Sequence, residues 1–480
     1  MNNRGEQQWW ETRAYAFALI ALAALPLVWP TIPPLADVLG HLGRYRVQLD
    51  IDHSETLQQY YTFNWEIIGN LGVDLLIIPL SKFLGLELAV KLIVLLIPVL
   101  TVAGMLAVAK QVHGTLPATA AFALPLAYGF PFQYGFINFA LSMALALLAF
   151  ALWLKLTREN RIALRAAIFV PISLIIWVTH SFGWGFLGLI CAASITAYRL
   201  EDGRRAVRAL WDAALACIPL LPPLILMLVW RQGSAGVMAG DWFNLPVKLL
   251  WVASILRTEW LWLDVISMAM LIAFPIVARN HKTLSLARPL TLAAWFCLAI
   301  FLLLPRILFQ SAYADMRLAP YMVALAVLAI NTARIDRRAM KMLAVGALIF
   351  CVFRIGMTTI VFAQHSRDID HQLAALDSIP RGARVVSLIS VPCASDWALP
   401  HRAHLPGVAL ARREVFSNDQ WIIEGSNLMQ THFAAGAPFN ADPSQMIYPR
   451  NCRKPNDLGR VDKVRQPFAD GCEVQETCEG

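Results

Sequence analysis

The chain is poor in charge: only 15% of its 480 residues are Asp, Glu, Lys or Arg, whereas 58% are hydrophobic. Soluble globular domains carry about a quarter charged residues, so this composition argues against a soluble protein. The formal net charge of +8 is spread over short clusters and not gathered in one tail, which argues against nucleic-acid binding. We therefore predict a polytopic α-helical membrane protein.

Two short motifs are absent as well. No CxxC pair occurs among the eight cysteines. For the last four of them we therefore expect up to two disulfides, and zinc binding is the alternative. These four are Cys393, Cys452, Cys472 and Cys478. No small-x-small cleavage site follows the first apolar run, at 14–33, so we expect an uncleaved anchor with a cytoplasmic N-terminus.

Long apolar runs are what the sequence has in abundance. About eleven of them are candidate membrane spans, although several are shorter than the ~20 residues that a straight helix needs. The predicted spans are 14–33, 88–109, 117–130, 138–154, 166–180, 182–198, 210–230, 259–278, 289–305, 316–333 and 342–362.

Clusters of Arg and Lys between these runs predict the orientation, because such clusters favour cytoplasmic loops. The clusters lie at 155–165, 199–208, 279–288 and 334–341. An odd number of spans places all four in the cytoplasm and the C-terminus outside. The apolar run at 66–84 is not counted as a span, because a crossing there would put the first two clusters outside. We predict instead a re-entrant or interfacial helix in a long first outer loop, 34–87.

The composition changes to charged, proline-rich sequence after Phe362. This change divides the chain into a transmembrane domain, 1–362, and an extracytoplasmic domain, 363–480. The pattern predicts a helix over 364–377 and, after a turn, a strand over 384–389. We therefore expect a C-terminal α/β domain on the outer side of the membrane.

The first outer loop contains the strongest candidate for chemistry. Asp37, His41 and Arg44 are spaced i, i+4, i+7, so a helix would place them on one face. A carboxylate at a membrane surface is costly to hold, and Asp37 is our candidate general base, with His41 and Arg44 orienting it or contacting an anionic substrate. The alternative is an interfacial helix whose polar face meets water, with Asp37 as its cap.

Further polar residues on the outer side are candidates for substrate binding. They are Gln133, Asn138, His180, Arg257, Arg306, Asp315 and Arg317. The two amides break a pair of apolar runs, and such a break can line a cavity or form a plain aromatic turn. Arginines are unexpected on the outer side, because Arg and Lys favour cytoplasmic loops. These arginines can bind a lipid phosphate or only anchor to headgroups. Arg354, near the middle of the last span, requires a partner or a water-filled cavity.

This arrangement resembles the GT-C superfamily of integral-membrane glycosyltransferases, which use polyprenyl-phosphate-linked sugars. The resemblance rests on Asp37 after the first span, on a long outer loop that ends in the run KFLGLELAVKL at 82–92, and on a C-terminal outer domain. It implies that Asp37 is the catalytic carboxylate. Many members carry a second acid after the third span, where this chain has Gln133 and Asn138.

The resemblance implies a bacterial inner-membrane enzyme that meets a lipid-borne donor and membrane lipids on the outer face. Arginine would stabilise the leaving phosphate, while the carboxylate takes the acceptor's proton and the anomeric carbon is inverted. We expect no cofactor, although a divalent metal stays possible. The alternatives are a non-catalytic scaffold of the same type and a transporter or polymerase of lipid-linked saccharides. A transporter would show repeated halves, and none is visible.

Overall fold

The computed structural model describes residues 7–231, 239–308, 312–390, 397–420, 428–434 and 446–447. These residues are mostly helical. The α-helices are α1 Arg13–Leu22, α2 Leu25–Val28, α3 Ala36–Asp50, α4 Glu55–Gln58, α5 Gly72–Leu84, α6 Leu86–His113, α7 Phe130–Tyr134, α8 Ile137–Arg158, α9 Ile162–Thr179, α10 Ser181–Glu201, α11 Ala206–Ala216, α12 Pro223–Arg231, α13 Leu245–Ala253, α14 Leu261–Asn280, α15 Arg288–Leu303, α16 Ala319–Leu328, α17 Arg337–Leu373 and α18 Pro406–Arg413.

Short 3-10 segments join several of these helices. They are Trp9–Glu11, Ala120–Tyr128, Ile218–Leu220, Met316–Leu318 and Ala374–Ser378. Ten short strands form five separate pairs in the described residues. The strands are β1 Tyr61–Phe63, β2 Ala239–Gly240, β3 Ser285–Leu286, β4 Ile307–Leu308, β5 Ile330–Asn331, β6 Arg384–Val385, β7 Ile389–Ser390, β8 Phe416–Ser417, β9 Met429–Thr431 and β10 Met446–Ile447.

Six described helices are long and apolar enough to cross a membrane, namely α6, α8, α9, α10, α14 and the helix that begins with α17. A seventh span is possible if α11 and the following segment, bent by 48°, cross together. The chain is thus a multi-pass membrane protein. The predicted count of eleven is not reached by length, because α1, α15 and the helix at 316–328 are shorter and the run at 117–130 forms a 3-10 segment around Pro125.

The centre of the helical bundle is α8, which packs between α6 and α10. Most of its residues are buried, including the large side chains of Phe150 and Trp153. A Cβ added to Gly104 of α6 would lie 2.7 Å from Cβ of Leu147, so these two helices approach closely because one of them lacks a side chain there. Burial on all sides explains why α8 is apolar around its circumference.

The last long helix, α17, continues from the predicted span into the predicted tail helix without a break. At about 1.5 Å per residue, its 37 residues extend beyond the ~30 Å hydrocarbon core of a bilayer. The single strand that we predicted over 384–389 is instead two short strands, β6 and β7, separated by residues 386–388, which have no regular secondary structure. β6 pairs in parallel with β8, and β1 of the first outer loop pairs antiparallel with β9.

Glycines bring the tail helix α18 onto α3. A Cβ added to Gly407 would lie 2.4 Å from the carbonyl oxygen of Leu39 and 2.7 Å from Cα of Gly40. Real Cβ atoms do not approach backbone so closely, so the two helices touch through their main chains. This contact positions the segment before α18 over the first turns of α3.

We expect Gly407→Ala to destabilise the protein by about 1–3 kcal/mol, because the added methyl group overpacks a contact between two backbones. The matched control is Gly188→Ala in α10, where a Cβ would meet nothing within 4 Å. Thermal unfolding of both purified variants measures the difference. Equal melting temperatures would contradict the close approach of α3 and α18.

Candidate functional site

Asp37 lies in the first turn of α3, where the helix dipole favours a negative charge. Leu35 occupies the N-cap position, so the alternative in which Asp37 caps the helix is wrong. The helix is also largely buried and does not present a polar face to water. Gly135, with φ +104°, packs against the backbone of Asp37, and a Cβ there would lie 2.7 Å from its nitrogen.

The carboxylate of Asp37 is 16% exposed, and its Oδ1 has no hydrogen-bond partner among the described residues. Burial raises the pKa of Asp37 to about 7, and the nearby Arg317 cation acts in the opposite direction. A carboxyl group with a pKa near neutrality can take a proton from a substrate and return it. Asp37 therefore has the environment that a general base requires.

His404 and Asp419, both in the C-terminal part of the chain, lie beside Asp37. Nε2 of His404 is 3.6 Å from Oδ1 of Asp37, and its Nδ1 is 3.9 Å from Oδ2 of Asp419. Burial lowers the pKa of His404 to about 4 and raises that of Asp419 to about 6. We did not predict either residue, because they are more than 360 positions from Asp37 and no spacing or motif links them.

Arg317 approaches the same region from the 3-10 segment Met316–Leu318. Its guanidinium lies 4.4 Å from the ring centroid of Phe136 and 5.7 Å from that of Phe139. Nη1 of Arg317 is 3.5 Å from Nε2 of His180, whose Nδ1 accepts a hydrogen bond from the backbone of Phe182 at the start of α10. The structure thus brings together Arg317 and His180, two of the predicted binding residues, near Asp37.

Arg44 is turned inward and makes a buried ion pair with Asp74 of α5. Asn138 belongs to the same group: its amide donates to Asp74 at 2.9 Å, and its oxygen accepts from the backbone of Val73 at 2.6 Å. Gln48 donates to the carbonyl of Asp74. These contacts fasten α5 to α3 and α8. The substrate contacts that we predicted for Arg44 and Asn138 stay predictions.

His41 stacks on Tyr45 one turn further along α3, with ring centroids 5.9 Å apart. Burial, reinforced by the Arg44 cation, lowers the pKa of His41 to about 3. The imidazole is therefore neutral at physiological pH. A neutral His41 can donate a hydrogen bond near Asp37 but cannot supply the positive charge that would attract an anionic substrate.

Gln133 and Arg257 hold neighbouring segments together. The amide of Gln133 donates to the carbonyls of Tyr128 and Arg257, at 2.7 and 2.8 Å. The guanidinium of Arg257 donates to the carbonyls of Trp397 and Ala398, at 2.9 and 3.0 Å. Both side chains thus contact backbone carbonyls, whereas we predicted that they contact substrate. Arg257 also fastens the C-terminal part of the chain to the membrane bundle.

The two remaining outer candidates are also engaged. Arg306 is about one-third exposed and contacts Asp241 at 3.3 Å. Asp315 is buried and pairs with Lys248 at 3.0 Å, and Lys248 also donates to two backbone carbonyls. Asp315 is also the N-cap of the 3-10 segment Met316–Leu318 that carries Arg317.

The buried Arg354 of α17 has the partner that its position requires. Its guanidinium lies 2.8 Å from the carboxylate of Asp264 in α14 and donates to the carbonyl of Leu256 at 2.5 Å. Asp264 also accepts from Thr258 and from the indole of Trp397, at 2.7 and 2.8 Å. This prediction is confirmed, because the partner is a second buried charge.

No group of three or more His, Cys, Asp or Glu side chains in the described residues could hold a metal ion. The four cysteines predicted to form disulfides, Cys393, Cys452, Cys472 and Cys478, lie outside the described residues. Their pairing, and zinc as its alternative, therefore stay predictions.

No protein-family model and no curated protein matches this sequence. Among solved structures, the chain is similar to ArnT from Cupriavidus metallidurans, crystallised bound to undecaprenyl phosphate. The match has 12% identity and a TM-score of 0.49, and it covers 97% of this chain and 95% of the ArnT chain. The resemblance is thus distant in sequence and extends over nearly the full length of both chains.

Proposed function

We propose that this protein is a membrane glycosyltransferase that moves a sugar from a polyprenyl-phosphate carrier to an acceptor hydroxyl. The observation that carries the proposal is the state of Asp37: its Oδ1 has no hydrogen-bond partner among the described residues, and its pKa is raised to about 7. A structural carboxylate would be paired, as Asp74, Asp264 and Asp315 are. Asp37 is instead kept ready to take a proton.

The reaction needs a base and a site for the leaving group. As the acceptor oxygen attacks the anomeric carbon, Asp37 takes its proton, and the bond from that carbon to the phosphate oxygen breaks. The phosphate leaves with the bonding electrons, and attack from the opposite face inverts the configuration. Arg317 is the arginine that we assign to the leaving phosphate, because its charge already acts on Asp37 and its side chain is held by aromatic rings.

A lipid-linked donor agrees with the surroundings of the site. α5 lies against α3 and exposes Leu75, Leu76 and Phe83, as a helix at a lipid interface would. We further propose a bacterial inner-membrane location, a cytoplasmic N-terminus, and a division into a membrane domain, 1–362, and an outer domain, 363–480. Nucleotide sugars are not found outside that membrane, so a donor there arrives on a lipid.

The test uses the full-length protein in lipid nanodiscs, supplied with undecaprenyl-phosphate-linked hexoses and pentoses. Mass spectrometry follows the release of free undecaprenyl phosphate with and without membrane extract as a source of acceptors. Acceptor-dependent release from one of these donors is the expected result. Binding of undecaprenyl phosphate without turnover of any donor would favour the non-catalytic scaffold.

We expect the rate to fall on the acidic side of about pH 7. Asp37 is active as the carboxylate, and its raised pKa means that it becomes protonated as the pH drops through that value. Each further pH unit should then lower the rate about tenfold. The measurement is kcat/KM for donor release between pH 5 and 9. A rate that stays constant down to pH 5 would exclude Asp37 as the base.

We expect Arg317→Lys to weaken binding of undecaprenyl phosphate about ten- to a hundredfold. A charged hydrogen-bonded contact contributes roughly 1.5–3 kcal/mol, and lysine lacks the fork that binds phosphate through two bonds. Arg306→Lys is the matched control, because Arg306 is partly exposed and already contacts Asp241. Binding is measured by tryptophan fluorescence in nanodiscs. Equal affinities for both variants would reduce Arg317 to a structural residue.

A further inference from the structure

His404 lies between two acids, Asp37 and Asp419, and our proposed function assigns no role to His404 or to Asp419. His404 presents Nε2 to Asp37 and Nδ1 to Asp419, at 3.6 and 3.9 Å. Its ring is 8% exposed, and Asp419 is fully buried. The three side chains therefore form a line, acid, imidazole, acid, which runs inward from the partly exposed Asp37.

Asp419 is oriented so that only one of its oxygens faces the imidazole. Oδ1 accepts hydrogen bonds from the hydroxyl of Ser417, at 2.7 Å, and from the amide of Gln420, at 2.9 Å. Oδ2, the oxygen nearer to His404, has no partner at hydrogen-bond distance among the described residues. The backbone N–H of Gly407 also acts on this carboxylate and lowers its pKa, although burial has the larger, opposite effect. A fully buried carboxylate oxygen without a partner is costly, and a proton on it, or an N–H pointed at it, removes that cost.

The backbone positions these groups through glycine. Gly40, one turn after Asp37, lies where a Cβ would be 3.2 Å from Cβ of His404, and Gly407 lies directly on Leu39 and Gly40. This packing holds His404 over the first turn of α3. Other charged or titratable groups that act on the line are His41 of α3, Tyr61 of β1, and Arg317 of the 3-10 segment at 316–318.

We infer that His404 and Asp419 form a proton relay for Asp37, in which a neutral imidazole passes the acceptor's proton inward by changing its tautomer. This inference rests on the proposed role of Asp37 as base. The distances of 3.6 and 3.9 Å exceed those of hydrogen bonds. Catalytic hydrogen bonds are often long before substrate binds, and both contacts must shorten for the transfer.

The transfer is balanced at each step. The acceptor O–H bond breaks, its electron pair forms the new bond to carbon, and its proton goes to Asp37. Asp37 then gives a proton to Nε2 of His404 as Nδ1 gives its own proton to Oδ2 of Asp419. The imidazole is neutral before and after, so no buried cation persists. After the product leaves, the proton returns to Asp37, which is partly exposed, and passes to water.

The pKa values are suited to this route. Burial raises the pKa of Asp37 to about 7 and that of Asp419 to about 6, so a proton has a similar affinity for both ends of the line. Burial lowers the pKa of His404 to about 4, which keeps the imidazole neutral. His404 therefore carries the proton between two acids without becoming a cation, and it does not replace Asp37 as the base.

The test measures coupling between the two acids in the full-length protein by infrared titration of carboxyl groups, which needs no substrate. Asp37→Asn and Asp419→Asn assign the two bands. We expect Asp419→Asn to change the apparent pKa of Asp37 by about one unit, a tenfold change in proton affinity. In a His404→Gln background the same substitution should change it by less than a third of that.

A second variant covers the case in which His404→Gln does not fold. His404→Ala leaves space for free imidazole, and added imidazole should restore the coupling. If Asp419→Asn changes the pKa of Asp37 equally with histidine and with glutamine at position 404, the two acids interact by direct electrostatics and the relay is overturned. No change in the pKa of Asp37 in either background would overturn the relay as well. Coupling between the two acids in a protein that turns over no donor would support the relay and contradict the proposed glycosyltransferase function. Turnover that depends on Asp37, without coupling between the acids, would support the proposed function and contradict the relay.

Discussion

Asp37→Asn should lower the rate of sugar transfer by about 10²–10⁴-fold, the usual effect of losing a positioned base. Asparagine keeps the size and polarity of the side chain but cannot take the acceptor's proton. Donor release in nanodiscs is the measurement, and Asp50→Asn is the matched control. Asp50 belongs to the same helix, is one-third exposed and pairs with Arg46. Full activity of Asp37→Asn would exclude the mechanism.

The same substitution should leave stability unchanged or increase it at alkaline pH. The folded protein holds Asp37 at a pKa of about 7, above the ~3.9 of an unfolded chain. The folded state therefore binds the proton more tightly, and stability falls as the pH rises from about 4 to 7. Asparagine removes that loss. A melting temperature at pH 8 that is equal or higher, together with lost activity, distinguishes a functional residue from a structural one.

The sequence predicted much of the helical architecture, because apolar runs must become helices where the backbone cannot bond to water. The helix that carries Asp37 and the partner requirement of Arg354 were also predicted from the sequence, since both follow from local spacing or from the cost of burying charge. The number of spans was not predicted correctly by helix length. The 3-10 segment around Pro125 and the short helices α1, α15 and α16 do not differ from spans in hydrophobicity.

The candidate site was only partly predictable, for a physical reason. Spacing shows which side chains share a helix face, but it does not show which partner that face meets. Arg44 and Asn138 were assigned to substrate, whereas both bind Asp74, which lies in the apolar run at 66–84. His404 and Asp419 reach Asp37 through tertiary packing of the distant segment around α18 on α3.

The ion pair between Arg354 and Asp264 explains how the membrane bundle and the C-terminal segment hold together. Both side chains are almost fully buried, at 2% and 0% exposure. Asp264 also accepts from the indole of Trp397, and Trp397 is one of the two residues whose carbonyls bind Arg257. One buried carboxylate thus joins α14, α17 and the segment that leads to His404.

Arg354→Met should therefore destabilise the protein by about 3–5 kcal/mol, because it leaves the charge of Asp264 buried without its partner. Arg161→Met is the matched control: Arg161 is largely exposed, and we expect it to cost less than about 0.5 kcal/mol. Thermal unfolding in nanodiscs measures both. If Arg354→Met melts together with the control, Asp264 is not charged or not dependent on Arg354.

The double variant Asp264→Leu with Arg354→Met shows whether the loss comes from an uncompensated charge. Replacing both members of a buried ion pair by apolar side chains is often close to neutral, so much of the stability should return. Recovery should stay incomplete, because Asp264 also binds Thr258 and Trp397. The C-terminal segment should then remain more sensitive to protease than in the wild type, since the indole of Trp397 loses its acceptor even when the bundle regains its melting temperature.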